Sequence, residues 1–135
     1  MLKEQDYVSV ELAKKLKAAG FKEKVENYFN LHPPIGTRPT LFAGYGNYNI
    51  PEFDGQTLSG PTLYEAMIWL VDKGIIIGID YMGSDYGYVY NIVDFYGYAD
   101  EEPQPDEEAY HETYQEALAA GIDSALTCII NSLPQ

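Results

Sequence analysis

The chain has 135 residues, 46% of them hydrophobic and 21% charged, the size and balance of one globular domain, which excludes wholesale disorder. Eight Lys and Arg against 21 Asp and Glu leave a net charge of −13. That excludes binding of nucleic acid through basic contacts to its phosphates, so no direct nucleic-acid partner is expected. A single cysteine excludes an intramolecular disulfide and a cysteine-rich zinc site.

The first helix begins at Ser9, a suitable N-cap, and carries Leu12, Ala13, Leu16 and Ala19 as an apolar stripe. Gly20 stands where a left-handed residue ends a helix, and Phe21 follows where it can fold back on Leu16. Lys14, Lys15 and Lys17 lie towards the C-terminus, where positive charge suits the helix dipole. Residues 25–31 read as a short strand ended by His32-Pro33-Pro34, because two prolines cannot donate to a ladder. A second strand is predicted from about Thr40-Leu41-Phe42, and residues 46–60 as mostly loop with a strand at 47–50.

Thr62 and Glu65 form a capping box that opens a second helix. Leu63, Ala66, Met67, Leu70 and Val71 make its stripe, and Gly74 closes it. Ile68 and Trp69 fall off that stripe, so the helix is either buried on two sides or offers this pair as a second contact surface. Ile75 to Met82 and Tyr86 to Tyr96 then read as a hairpin turning through Gly83-Ser84-Asp85. With Ser84-Asp85 as the loop, one face gathers Ile75, Ile77, Ile79, Tyr81, Tyr88, Tyr90 and Ile92. The other holds Ile76, Gly78, Asp80, Met82, Val89, Asn91, Val93 and Phe95. Neither is cleanly polar, which predicts a central pair with helices over at least the first face. An acidic loop follows at about 99–110, expected to be solvated and mobile. Thr113 and Glu116 form a second capping box, starting a last helix through about residue 131. Its stripe is Tyr114, Ala117, Leu118, Gly121, Ile122, Ala125, Leu126, Ile129 and Ile130.

These elements predict a single α+β domain over 1–135, three helices on an antiparallel sheet of three to five strands in the order α-β-β-α-β-β-α. No apolar run approaches the roughly 20 residues that span a bilayer. Met1 to Asp6 has no apolar core of a secretory signal. The expectation is a cytoplasmic protein with no membrane partner.

Three segments together resemble a group of small uncharacterised proteins associated with phages and prophages of gut Bacteroidetes. They are Ser9 to Phe21, a helix ending in Gly-Phe; Pro61 to Ile75, a "P-T-x-x-E-A-x-x-W-L" helix running into an apolar strand; and Glu112 to Leu118, the start of an "E-A-L" helix. The resemblance implies this fold and a mobile-element setting, and supplies no site residues.

The charge is unevenly placed. Residues 1–24 carry six lysines and four acids, whereas residues 25–135 carry Arg38 and Lys73 against 17 acids. From Gly74 onward there are 12 acids and no lysine or arginine. A solvated acidic surface, a footprint for a basic partner and head-to-tail contact between copies, giving a homo-oligomer, all fit this pattern. Catalytic and cofactor signals are lacking. Gly44-Tyr45-Gly46 has no third glycine or following helix, and His32 and His111 share no metal-binding spacing. Cys128 sits at the margin of the last helix's stripe with no histidine near in sequence, which reads as a structural thiol. No catalytic residue, cofactor or metal ligand is therefore expected.

The remaining signal is tyrosine, with 13 in the chain. Tyr81, Tyr86, Tyr88, Tyr90, Tyr96 and Tyr98 cluster on or near the hairpin, and with Trp69 they form a candidate partner surface. Half-buried sheet packing explains a tyrosine equally well one residue at a time. The leading expectation is a non-catalytic accessory protein that binds another protein. An acidic mimic of nucleic acid filling a basic groove comes second. A small enzyme with a site built from loops 32–60 and 100–111 comes third.

Overall fold

Capping bonds start and stop the helices where the local sequence asks for them. This is visible in the computed structural model, which describes residues 2–95 and 110–132 apart from the side chains of 94 and 95. Helix α1 spans Val10–Ala18, and the Ser9 Oγ accepts a hydrogen bond from the Leu12 N–H at 3.1 Å. At its other end the Phe21 N–H donates to the Leu16 carbonyl at 2.9 Å and the Gly20 N–H to the Lys17 carbonyl at 3.0 Å. Gly20 takes φ +100°. These are the two bonds of a Schellman ending, with the Phe21 and Leu16 side chains buried together behind it.

Helix α2 spans Leu63–Asp72 behind a complete capping box. The Glu65 N–H donates to the Thr62 Oγ1 at 3.0 Å, and the Thr62 N–H donates to the Glu65 carboxylate at 2.9 Å. A Thr62→Ala variant is expected to lose about 1 kcal/mol, read as a lower urea midpoint at unchanged m; an unshifted midpoint would show that the box adds nothing. The buried face is Leu63, Ala66, Trp69 and Leu70. It is rotated from the predicted stripe, since Val71 is exposed and Met67 only half-buried. The off-stripe pair is also divided, Trp69 turning inward while Ile68 stays exposed. Trp69 draws the face round because its large ring packs edge-on against Phe21, with centroids 5.5 Å apart.

Helix α3 spans Tyr114–Ser132 and buries Ala117, Leu118, Gly121, Ile122, Ala125, Leu126 and Ile129. Ile130 is half-buried and Tyr114, predicted on the stripe, is exposed at the first turn. The second capping box differs from the expected form. Thr113 Oγ1 does accept from the Glu116 N–H at 3.1 Å, but the Glu116 carboxylate reaches the Glu112 N–H, at 3.3 Å, in place of Thr113's own.

The fold is α+β, with the predicted order of helices and antiparallel strands, and the strands are shared between two sheets. Strands β1 (Val25–Asn30), β2 (Leu41–Gly46) and β3 (Thr57–Ser59) form one sheet in the order β2-β1-β3. Strands β4 (Ile75–Tyr81) and β5 (Tyr88–Phe95) form the other. The stretch predicted as loop with a strand at 47–50 instead places its strand at β3. Tyr48 and Asn49 bond to Ser59 through a side chain at each step and make no ladder: the Tyr48 N–H donates to the Ser59 Oγ at 3.0 Å, and the Ser59 N–H to the Asn49 Oδ1 at 3.1 Å.

The hairpin register is the one that a Ser84-Asp85 centre predicts, from Tyr81 opposite Tyr88 to Ile77 opposite Ile92. A bulge between Ile76 and Ile77 then shifts it, so that Ile76 pairs with Asp94 and Ile75 with Phe95. The first face is covered by α3, as expected: Ile75, Ile77 and Tyr90 are buried. The helix comes close because Gly121 has no side chain; a Cβ there would lie 2.8 Å from Ile77 Cγ2 and 3.2 Å from Tyr90 Cβ. The central position predicted for the hairpin is not found. Among the described residues no further strand flanks it, and Ile76 and Val93 on its second face remain exposed. One core nonetheless joins both sheets, running from Val8, Leu12 and Leu16 through Phe29, Leu58 and Leu70 to Ile122 and Leu126.

Candidate functional site: a tyrosine-rich surface

The loop between β4 and β5 is built on backbone bonds. The Met82 N–H donates to the Gly87 carbonyl at 2.7 Å, and the Gly83 carbonyl accepts from the Tyr86 and Gly87 N–H groups at 3.1 and 2.8 Å. This leaves Gly87 at φ +80°, a conformation that costs any L-residue with a side chain about 1–2 kcal/mol. Directly after it, Tyr88 and His111 exchange two N–H···O bonds, both 2.8 Å. That bridge carries the segment before α3 to the end of the hairpin.

Five tyrosines lie at this end, in two groups of rings. The Tyr81 and Tyr88 rings lie 5.0 Å apart, Tyr114 stands edge-on to Tyr88 at 6.3 Å, and Tyr86 lies 5.2 Å from Tyr110. Four are open to solvent, at 61% for Tyr81, 59% for Tyr86, 42% for Tyr110 and 47% for Tyr114. Of the predicted surface, Tyr81 and Tyr88 are thus brought together, and Tyr86, two positions before Tyr88, stacks in the second group with Tyr110. Tyr90 is not part of it, being 8% exposed beneath α3. Trp69 is not either: it is 6% exposed, with Lys73 Nζ 5.2 Å over its ring, and only lines a shallow cavity of about 300 Å³ beside Phe21. Tyr96, Tyr98 and all but the last residue of the predicted acidic loop lie outside the described residues.

Nothing in the sequence singles out Tyr110 and Tyr114. Tyr114 falls on an apolar stripe, and Tyr110 is carried to Tyr86 by the Tyr88–His111 bridge, a pairing of segments 23 positions apart that no local signal marks. Acidic side chains adjoin the cluster in the chain. Asp85, Glu112 and Glu116 are exposed, and the Asp80 carboxylate accepts from the Asn91 side-chain amide at 2.7 Å.

The start of α3 is tied down by Asp6. Its carboxylate accepts from the Lys3 N–H at 2.8 Å and from the Gln115 side chain at 3.2 Å. The backbone bond from Lys3, followed by the Gln115 bond, holds the Asp6 carboxyl below its ordinary 3.8. A group depressed on folding stabilises the fold above its unfolded value and loses that contribution as pH falls through its folded one. An Asp6→Asn variant is accordingly expected to melt below the parent at neutral pH and to converge with it below pH 3.8. Thermal melts between about pH 7 and about pH 2 check this; a gap independent of pH would remove Asp6 from the acid response.

The other titratable groups among the described residues are placed as follows. Among the described residues no three His, Cys, Asp or Glu side chains gather in a way that could hold a metal ion. His32 is exposed, while the Nε2 of His111 is buried without a hydrogen-bond partner among the described residues. Cys128 is half-buried, and that burial pushes its thiol pKa up, away from the thiolate. No described helix is long and apolar enough to cross a membrane. No protein-family model matches the chain, and no curated protein or solved structure does so either.

Proposed function

We propose that this chain is a non-catalytic accessory protein that binds another protein through the tyrosine cluster at the end of the β4–β5 hairpin, and that the partner's facing surface is basic. The observation that carries this is that Tyr81, Tyr86, Tyr88, Tyr110 and Tyr114 come from three separate segments to one end of the hairpin, where they stack in two groups and four of them are exposed. Tyrosine contributes a large, stiff contact area with a hydroxyl at its tip, so little entropy is lost on docking, and truncating such an anchor typically costs about 2 kcal/mol or more of binding. The basic partner follows from charge: no lysine or arginine occurs after Lys73, whereas Asp80, Asp85, Glu112 and Glu116 belong to the same end of the fold. The mobile-element setting implied by the three resembling segments, and a cytoplasmic site of action, belong to this same reading.

Affinity capture from the native host tests it. The parent chain is expected to recover one protein in stoichiometric amount, with recovery falling as salt is raised. A Tyr81→Ser/Tyr86→Ser variant, changed only at exposed rings, is expected to keep its melting temperature and lose that protein. Equal recovery by parent and variant would remove the cluster from function.

A further inference from the structure

We propose a second docking site, independent of the tyrosine cluster: the outer edge of β2 accepts an extended acidic segment of a partner protein as an added strand, with the segment's acidic end seated in the basic groove beside α1. The backbone pattern shows which groups are on offer. The Gly60 N–H donates to the Asn27 carbonyl and the Leu31 N–H to the Gln56 carbonyl, each at 2.9 Å, so alternate residues of β1 from Asn27 face β3. Tyr28 between them faces β2, where its partner is Phe42. Alternation then turns the backbone groups of Leu41 and Ala43 away from β1, to the edge where the described residues place no strand.

Proteins guard such edges with lysine, proline or an inward charge. Within the strand itself this one carries no such guard, although Arg38 and Pro39 lie just before it. Residues 40–50 contain neither a charge nor a proline in a chain of net charge −13. Tyr45 on the strand is 72% exposed. The face next to it is already ordered by a run of stacked rings, Phe42 on Tyr28 at 5.7 Å and Tyr28 on Tyr48 at 4.4 Å, so little side-chain freedom remains to be lost when a strand is added.

Charge selects the ligand. A groove of about 1210 Å³ opens at the first residue of β2 and runs beside the start of α1. Buried Val8 and Phe29 lie along it, and three of the chain's eight cations, Lys3, Lys14 and Arg38, line it. The ion pairs among the described residues engage other lysines, Lys15 with Asp123 and Lys17 with Asp54. Glu4 and Glu11 also line the groove and leave it an excess of one positive charge, reversed in sign from the protein as a whole. Added strands take affinity from main-chain bonds and specificity from the side-chain sites beside them. Here the cations at one end ask for carboxylates, and the pleat of an added strand alternates them with branched apolar residues along the edge.

The probe is a fluorescein-labelled Glu-Val-Glu-Val-Glu-Val peptide, compared with its Lys-Val counterpart and with a version carrying proline at the fourth position. The acidic peptide is expected to give saturable anisotropy, to shift the amide signals of Leu41 and Ala43, and to slow their hydrogen exchange. The lysine and proline peptides are expected to bind at least about tenfold more weakly, and Arg38→Glu, an exposed substitution, to weaken the acidic peptide about fivefold. The Tyr81→Ser/Tyr86→Ser variant should bind the peptide as the parent does, which separates this site from the hairpin surface. Lack of saturable binding, equal binding of the lysine peptide, an unmoved response at Leu41 and Ala43, or protection of those amides by concentration-dependent self-association without peptide would each overturn the proposal.

Discussion

A Phe21→Ala chain is expected to unfold about 3–5 kcal/mol more easily than its parent. Phe21 is where the three parts of the fold are joined. Its N–H closes α1 on the Leu16 carbonyl, and its ring packs edge-on against Trp69 of α2. Its carbonyl accepts from the Asn49 side-chain amide at 2.9 Å, and Asn49 in turn accepts from the Ser59 N–H of β3. Alanine keeps the backbone bonds and removes the ring, leaving a void bordered by Leu16 and Trp69, two side chains fixed by their own packing. Small domains have about 5–15 kcal/mol in all, so this single change removes a large fraction of it. Urea titration reads the loss as a fall in midpoint, and Phe21→Leu, which fills most of the space, should recover more than half of it. A loss under about 1 kcal/mol for the alanine variant would mean that the site collapses freely and joins nothing.

The second large effect is expected at Gly87. An alanine Cβ there would lie within van der Waals overlap of the His111 carbonyl oxygen, a backbone atom that a rotamer change cannot move. Strain at positive φ costs about 1–2 kcal/mol, and pushing His111 away breaks the paired Tyr88–His111 bonds at about 1 kcal/mol each. Gly87→Ala is therefore expected to cost about 3–4 kcal/mol and to separate Tyr110 and Tyr114 from Tyr86 and Tyr88. Gly83 supplies the control: it takes φ +98° with nothing within 4 Å of the added carbon, so Gly83→Ala carries the strain alone, about 1–2 kcal/mol. Near-UV circular dichroism of the tyrosines and partner capture should both change for Gly87→Ala and hold for Gly83→Ala. Equal effects at the two glycines would mean that the bridge to His111 does not organise the surface.

The elements that could be read in advance are those closed by bonds a few positions long. Ser9, Thr62 with Glu65, and Thr113 all accept the N–H three residues on, so a pattern of four residues suffices to place them. Gly20 and Gly74 end their helices for the same local reason. The hairpin register was legible because alternation of side chains and a turn sequence restrict each other. Trp69 shows where that reasoning stops. Its position on α2 says it lies off the stripe, and only the presence of Phe21 beside it explains why it is buried while Val71 is not.

The candidate site divides along the same line. Tyr81, Tyr86 and Tyr88 belong together by their closeness in the chain, and nothing local separates them from Tyr90, which disappears under α3 because Gly121 admits the helix. Tyr110 and Tyr114 join them through two backbone bonds spanning 23 positions. The amino-acid sequence by itself determined the helix boundaries, the hairpin and the excess of negative charge, because capping, alternation and formal charge depend on neighbours or on none. The tertiary structure decided the division into two sheets, the burial of Trp69 and Tyr90, the edge of β2 beside which the described residues place no strand, and the gathering of five tyrosines at one end of the hairpin. Each of these depends on which distant surfaces exclude water from one another, and that competition is resolved only when the whole chain packs.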